Sequence, residues 1–92
     1  MRIRWTEPAA RDLTQICDYI EEHGSPAKAR RVALTIYEGI GSLEQFPQRG
    51  RPGRMLTTRE LVFPGLPFIA IYRLRGDVIE INRILHGAQN WP

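Results

Sequence analysis

The chain has 92 residues, 42% hydrophobic and 25% charged, with a formal net charge of +3. That is the profile of a single soluble globular domain over residues 1–92, with room for one modest core. No apolar run approaches the roughly 20 residues of a membrane-spanning helix, and the first residues lack the basic-then-apolar order of a secretion signal, so a cytoplasmic protein with no membrane partner is expected.

One cysteine, Cys17, excludes an internal disulfide and has no neighbouring ligands at zinc spacing. It reads as a small core hydrophobe, and neither a metal nor a cofactor is expected. Charge is unevenly spread. Residues 1–45 carry six basic side chains against seven acidic ones, whereas residues 46–92 carry seven arginines against Glu60, Asp77 and Glu80. Partner-facing charge is therefore expected in the second half, and arginine favours forked contacts to phosphate or carboxylate.

Arg2-Ile3-Arg4-Trp5 alternates polar and apolar residues as a short edge strand does. Thr6 then offers an N-cap oxygen, Glu7 suits the positive end of a helix dipole, and Pro8 fits a first turn. Ala9, Leu13, Ile16, Cys17 and Ile20 form one apolar stripe on this first helix. His23-Gly24-Ser25-Pro26 ends it: Gly24 suits a left-handed C-cap, Ser25 caps a second helix, and so short a link makes the two helices antiparallel neighbours.

The second helix is expected to run to about Phe46, with Ala29, Val32, Ala33, Ile36, Ile40 and Leu43 on its apolar face. Lys28, Arg30 and Arg31 oppose its dipole, as Glu21 and Glu22 oppose that of the first helix, and the two clusters are expected to face each other across the turn. Gly39 and Gly41 either admit a close neighbour or weaken the helix near its end.

Phe46-Pro47 stops the helix. Gln48-Arg49-Gly50-Arg51-Pro52-Gly53-Arg54 follows as a loop that suits neither helix nor central strand. No acid lies between Glu44 and Glu60, yet Arg49, Arg51, Arg54 and Arg59 are all there, so this is either a solvated basic loop or a contact for phosphate or an acidic partner. Its glycines do not form a Walker loop, since no Lys-Ser or Lys-Thr pair opens a helix behind them.

Three strands follow: Glu60 to Phe63, Phe68 to Leu74 and Val78 to Leu85, the last two joined at Arg75-Gly76-Asp77. The order β-α-α-β-β-β defines an α+β fold, an antiparallel sheet with a helical hairpin packed on one face. Strict alternation in the last strand conflicts with its composition: if Ile79 and Ile81 face the core, so does Arg83. Either a bulge resets the phase so that Ile84 turns inward, or Arg83 lines a pocket with a partner.

His86 is the histidine set among other functional groups. Beside Arg59 and Arg83 it could act as a general acid or base in phosphodiester cleavage while the arginines stabilise the phosphate; equally, it closes the last strand by hydrogen bonding. Gln89 and Trp91 read as a polar cap and an apolar latch for the tail. No nucleophile–base–orienter set, paired carboxylates or metal-ligand cluster stands out.

Taken in order, several of these pieces form a recognisable series. They are Ala10 with Asp12-Leu13 and Ile16 through Tyr19-Ile20, then Ile40, Leu43 and Phe46-Pro47, then Gly50-Arg51, Arg59-Glu60-Leu61 and Ile71-Tyr72-Arg73. Ile84-Leu85-His86 with Gln89 and Trp91-Pro92 closes the series. The chain resembles the RelE/ParE superfamily of bacterial type II toxins over nearly its whole length, and that family's fold is the β-α-α-β-β-β arrangement read above.

The resemblance implies a growth-inhibiting toxin neutralised by a cognate antitoxin, whose C-terminal segment lies over the toxin and is often acidic. ParE-like members poison DNA gyrase; RelE-like members cleave messenger RNA on the ribosome with basic residues and a terminal His or Tyr. This chain carries Ile69 where the nucleases tend to carry a phosphate-clamping arginine, and its tail lacks a terminal Tyr. It is expected to be ParE-like, plasmid stabilisation being a usual role. The alternatives are a ribosome-dependent ribonuclease using Arg59, Arg83 and His86, or a non-toxic antitoxin-binding or nucleic-acid-binding module. Target or antitoxin contacts are expected at Arg49, Arg51, Arg54, Arg59, Arg73, Arg83, His86, Gln89 and Trp91.

Overall fold

Both helices start where their capping residues predict. The Thr6 hydroxyl accepts the Ala9 N–H at 3.3 Å and the Ser25 hydroxyl accepts the Lys28 N–H at 3.1 Å, each satisfying one of the orphan donors of a helix N-terminus. A computed structural model describes residues 1–87. Its elements are β1 (Arg2–Trp5), α1 (Glu7–His23), α2 (Pro26–Gly41), a 3₁₀ turn (Ser42–Glu44), β2 (Arg51–Pro52), β3 (Arg59–Val62), β4 (Phe68–Arg75) and β5 (Val78–His86).

The strands form one sheet in the order β1-β5-β4-β3-β2. The pairs β2–β3, β3–β4 and β4–β5 are antiparallel, and β1 lies parallel to β5 with Ile3 opposite Ile79 and Trp5 opposite Ile81. A parallel pair needs a long crossover, and here the two helices and the remaining strands all intervene. The α+β reading holds; the parallel first pairing and the two-residue strand inside the basic loop are additions to it. Arg51–Pro52 tolerates proline because it lies at the sheet edge.

The core sits between the helical hairpin and one face of the sheet. Ala9 and Leu13 of α1, with Val32, Ile36 and Ile40 of α2, meet Leu61, Phe63, Ala70, Tyr72, Ile79, Ile81 and Ile84. Gly39 exists for this packing, since a Cβ there would lie 2.7 Å from the Phe63 ring, whereas one at Gly41 would meet nothing within 4 Å. The two readings of this glycine pair thus divide between its members: Gly39 admits a neighbour, and the α-helix ends at Gly41.

Three local expectations are corrected. Helix α2 stops at Gly41 and continues as a 3₁₀ turn instead of running to Phe46. Gly24 is not left-handed: its φ is −141°, and glycine is required there because a Cβ would lie 2.9 Å from the Ile20 carbonyl oxygen. Among the described residues, no ion pair joins Glu21 or Glu22 to Lys28, Arg30 or Arg31; these exposed side chains are better solvated than paired.

The phase conflict in β5 is resolved by a bulge. Ile71 pairs with Arg83 but Tyr72 pairs with Ile81, so Asn82 is the extra residue. Ile79, Ile81 and Ile84 all join the main core, while Leu85 packs with Ile69 and Ile71 in a second cluster. Both sequence alternatives hold together, because Arg83 also has a partner.

Candidate functional site

That partner is Asp12. Strand β1 pairs with β5 only as far as Ile81, so among the described residues no strand lies beside the outer edge of residues 82–86. Side chains take over: the Thr6 hydroxyl donates to the Ile81 and Asn82 carbonyls at 2.8 and 3.1 Å, and the Asp12 carboxylate accepts the Ile84 N–H at 3.0 Å. The same carboxylate accepts Arg83 Nε at 2.7 Å and a second guanidinium nitrogen at 3.0 Å, a forked pair of the kind arginine forms best. Hydrogen bonding to Asp12 pushes the Arg83 pKa above its ordinary value. Asp12 is 12% exposed and Arg83 42%, so the carboxylate is the buried member.

Above this pair runs an open groove of about 470 Å³ between α1 and β5. Ile16, Ile20, Phe68 and Ile84 make its apolar lining, and Asp12, Arg83 and His86 its polar rim. The His86 ring is edge-on to Phe68 at 6.0 Å between centroids. Tyr19 and Gln15 also reach the groove, and Tyr19 stacks on His23 at 4.2 Å.

On the sheet face away from the helices, arginines gather at one end, and Ile69, Ile71 and Leu85 form the second apolar cluster at the other. Glu80 is nearly buried and carries three arginines: Arg4 donates to Oε2, Arg73 Nε lies 3.4 Å from Oε1 as an ion pair without hydrogen-bond geometry, and Arg75 stands 3.9 Å from Oε2. Asn82 donates to Oε1 at 2.8 Å. The Asn82 bond first, and then Arg4 and Arg75, hold the Glu80 pKa below its ordinary value against the opposing effect of burial. Next to this cluster, Arg51 donates to Oε1 of buried Glu60 at 3.1 and 3.2 Å.

The third group builds the loop between α2 and β3. The hydroxyl of fully buried Tyr72 donates to the Pro47 carbonyl at 2.8 Å and accepts the Gly50 N–H at 2.9 Å. Arg59 donates to the Gly50 and Gln48 carbonyls at 2.9 and 3.0 Å, and Arg49 to the Ser42 hydroxyl at 2.9 Å. Gly50 has no room for a side chain, since a Cβ would lie 2.7 Å from Tyr72.

The sequence-derived residues therefore fall into separate places. Arg83 and His86 meet in the groove. Arg73 belongs to the Glu80 cluster, Arg51 to Glu60, and Arg49 and Arg59 to the loop. Arg54 lies exposed in the same loop, and Gln89 and Trp91 lie outside the described residues. Arg59 pairs across the sheet with Tyr72, whereas His86 pairs with Phe68. Those rows are four residues of β4 apart, about 13 Å along the strand, and Arg59 and His86 also sit on strands that flank β4 on opposite sides. Three residues went unassigned in the sequence: Asp12, Tyr72 and Glu80. The unpaired Arg83 was the signal for the first, as a buried arginine demands a carboxylate. Among the described residues no group of three His, Cys, Asp or Glu side chains could hold a metal, and no helix is long and apolar enough to cross a membrane.

The structure is thus a two-helix hairpin on a five-stranded sheet, with a groove at one edge and an arginine cluster around Glu80 on the face away from the helices. Comparison with known proteins names the group. The family described as "ParE toxin of type II toxin-antitoxin system, parDE" matches residues 3–91, and the chain belongs to it. It is 45% identical over 91 residues to a Sinorhizobium fredii protein that bears the name toxin Y4kP, covering 99% of this chain and 93% of that one. It is 39% identical over 88 residues to Toxin RelE2 of Caulobacter vibrioides, covering 96% and 97%. Among solved structures it is similar to a chain of the chromosomal ParDE toxin-antitoxin system from P. aeruginosa, with a TM-score of 0.87, 34% identity, and coverage of 94% of this chain and 95% of that one. The chain is thus a toxin of the type II toxin-antitoxin class, and an antitoxin partner comes with that class.

Proposed function

We propose that this toxin arrests growth by binding DNA gyrase, not by cleaving RNA, and that its antitoxin docks in the groove between α1 and β5. The observation that carries the first part is the dispersal of the nuclease candidates. Arg59 is turned onto the Gly50 and Gln48 carbonyls, far along the sheet from His86, and Arg83 is forked onto Asp12. Acid–base cleavage of a phosphodiester needs its base and its charge-stabilising donors around one phosphate. A protein-binding poison has no such requirement. The groove supports the second part, because it offers an apolar floor, a charged rim and an incompletely paired strand edge to an amphipathic segment.

The competing ribonuclease reading draws on one observation, that His86 and Arg83 line the same groove. Two assays on one preparation separate the two: supercoiling by DNA gyrase, and messenger RNA cleavage on programmed ribosomes. Inhibited supercoiling with intact RNA is the expected result. Codon-positioned cleavage, lost in His86→Ala, would replace the gyrase reading with the enzymatic one.

A further inference from the structure

The loop between β2 and β3 projects an apolar tip out of the basic segment. Leu56 is 92% exposed and Met55 46%. Isolated exposed aliphatic side chains are common, but this pair is held outward by a closed turn. The Gly53 N–H donates to the Thr58 carbonyl at 2.8 Å, and the Thr58 N–H and hydroxyl both donate to the Met55 carbonyl, at 3.1 and 2.6 Å. Thr57, next to the tip, has a φ of +71° and is the only non-glycine residue with positive φ among the described residues. A β-branched side chain resists that conformation, so the turn is built against a local preference. Gly53 has no room for a Cβ beside Thr58.

Between Glu44 and Glu60 the charged side chains are all arginines; Arg51 is paired with Glu60, whereas Arg49 and Arg59 rest on uncharged groups and keep their charge uncompensated. Arg49, Arg51 and Arg59 are fixed on Ser42, Glu60 and the loop carbonyls. Aromatic and arginine anchors are the commoner interface hot spots, but an aliphatic side chain seated in a pocket inside a polar rim also serves as one, and a methionine beside it adapts to an irregular pocket. Leucine and methionine offer no flat ring for base stacking, which favours a protein surface over single-stranded nucleic acid.

We propose that Met55 and Leu56 form a plug by which this toxin grips its target, a protein surface with an apolar pocket rimmed by carboxylates, and that this contact is separate from the antitoxin groove. The inference rests on the reading of the chain as a toxin that acts by binding a protein.

The test compares wild type with Met55→Ser/Leu56→Ser and with Arg54→Glu. Three quantities are measured: gyrase supercoiling, affinity for the purified antitoxin by calorimetry, and growth arrest on induction. Circular dichroism melting checks that the solvent-exposed changes leave folding intact. The tip variant should need at least tenfold more protein to inhibit gyrase and should fail to arrest growth, while antitoxin affinity stays within twofold. Arg54→Glu should shift inhibition in the same direction. Wild-type inhibition fully retained in the tip variant overturns the inference and leaves the gyrase reading standing. Wild-type protein that leaves gyrase untouched defeats that reading instead; growth arrest then decides the plug, and unchanged arrest in the tip variant overturns it. Parallel loss of antitoxin binding, or a wild-type affinity for DNA or RNA alone that the tip variant loses, also overturns it.

Discussion

The two ends of the sheet are held by different chemistry. At the groove end, a buried carboxylate replaces a missing strand: Asp12 accepts a backbone N–H and a forked guanidinium together. At the loop end, no acid takes part in the central joint: the Tyr72 hydroxyl and the Arg59 guanidinium bind carbonyls and an amide. A charge-based joint couples strongly to whatever binds beside it, because a docking partner can compete for either ion. A joint of hydroxyl and carbonyls responds little to approaching charge and suits a surface that must keep its shape.

The largest expected effect breaks the groove end. Asp12→Ala leaves the Ile84 N–H and Arg83 without their acceptor, and a loss of about 3 kcal/mol is expected in chemical denaturation. Antitoxin affinity should fall with it. An unchanged denaturation midpoint would mean that water replaces the carboxylate at that edge.

At the loop end, Tyr72→Phe strands the Gly50 amide and the Pro47 carbonyl while filling nearly the same volume. About 2 kcal/mol of destabilisation is expected. Target inhibition should suffer more than antitoxin binding, and equal losses would erase the distinction between the ends.

Between the ends, Glu80→Gln probes the arginine cluster. The Glu80 pKa is lowered in the fold, so its charged form stabilises the native state. That contribution is complete above the ordinary carboxylate value of 4.5 and fades as pH falls below it through the folded value. The variant should be less stable than wild type at pH 7, by about 1 kcal/mol, and the difference should close on acidification. A gap that widens toward low pH would contradict the assigned sign. The smallest effect belongs to a control on exposed helix surface. Arg11→Ala removes the Glu7–Arg11 pair, and a change of less than about 0.5 kcal/mol is expected by thermal melting.

Much of this division was legible in the chain. Thr6 and Ser25 announced the helix starts, and the phase conflict between Ile79, Ile81 and Arg83 announced either a bulge or a partnered arginine, of which the structure has both. Arg83 announced a partner without naming it, since Asp12 is 71 residues away and nothing local ties the two together. Arg59 was incompletely legible for the same reason. As a member of a basic run it reads as a phosphate ligand, but Tyr72 opposite it directs both side chains to the loop carbonyls. Charge patterns in sequence report where arginines are dense; cross-strand register decides which of them face outward.

Asp12 also bears on how the edges of the sheet are covered. Unpaired strand edges template polymerisation, and this sheet has blunted edges of different kinds. Strand β1 is four residues long with two arginines, and β2 is two residues long and ends in Pro52, which has no N–H to offer. Beyond β1 the edge of β5 is stoppered at Ile84 by the Asp12 carboxylate. A stray strand arriving there must first displace a buried carboxylate held by the half-exposed Arg83 fork, which an acidic segment able to give Arg83 a new carboxylate is fitted to do.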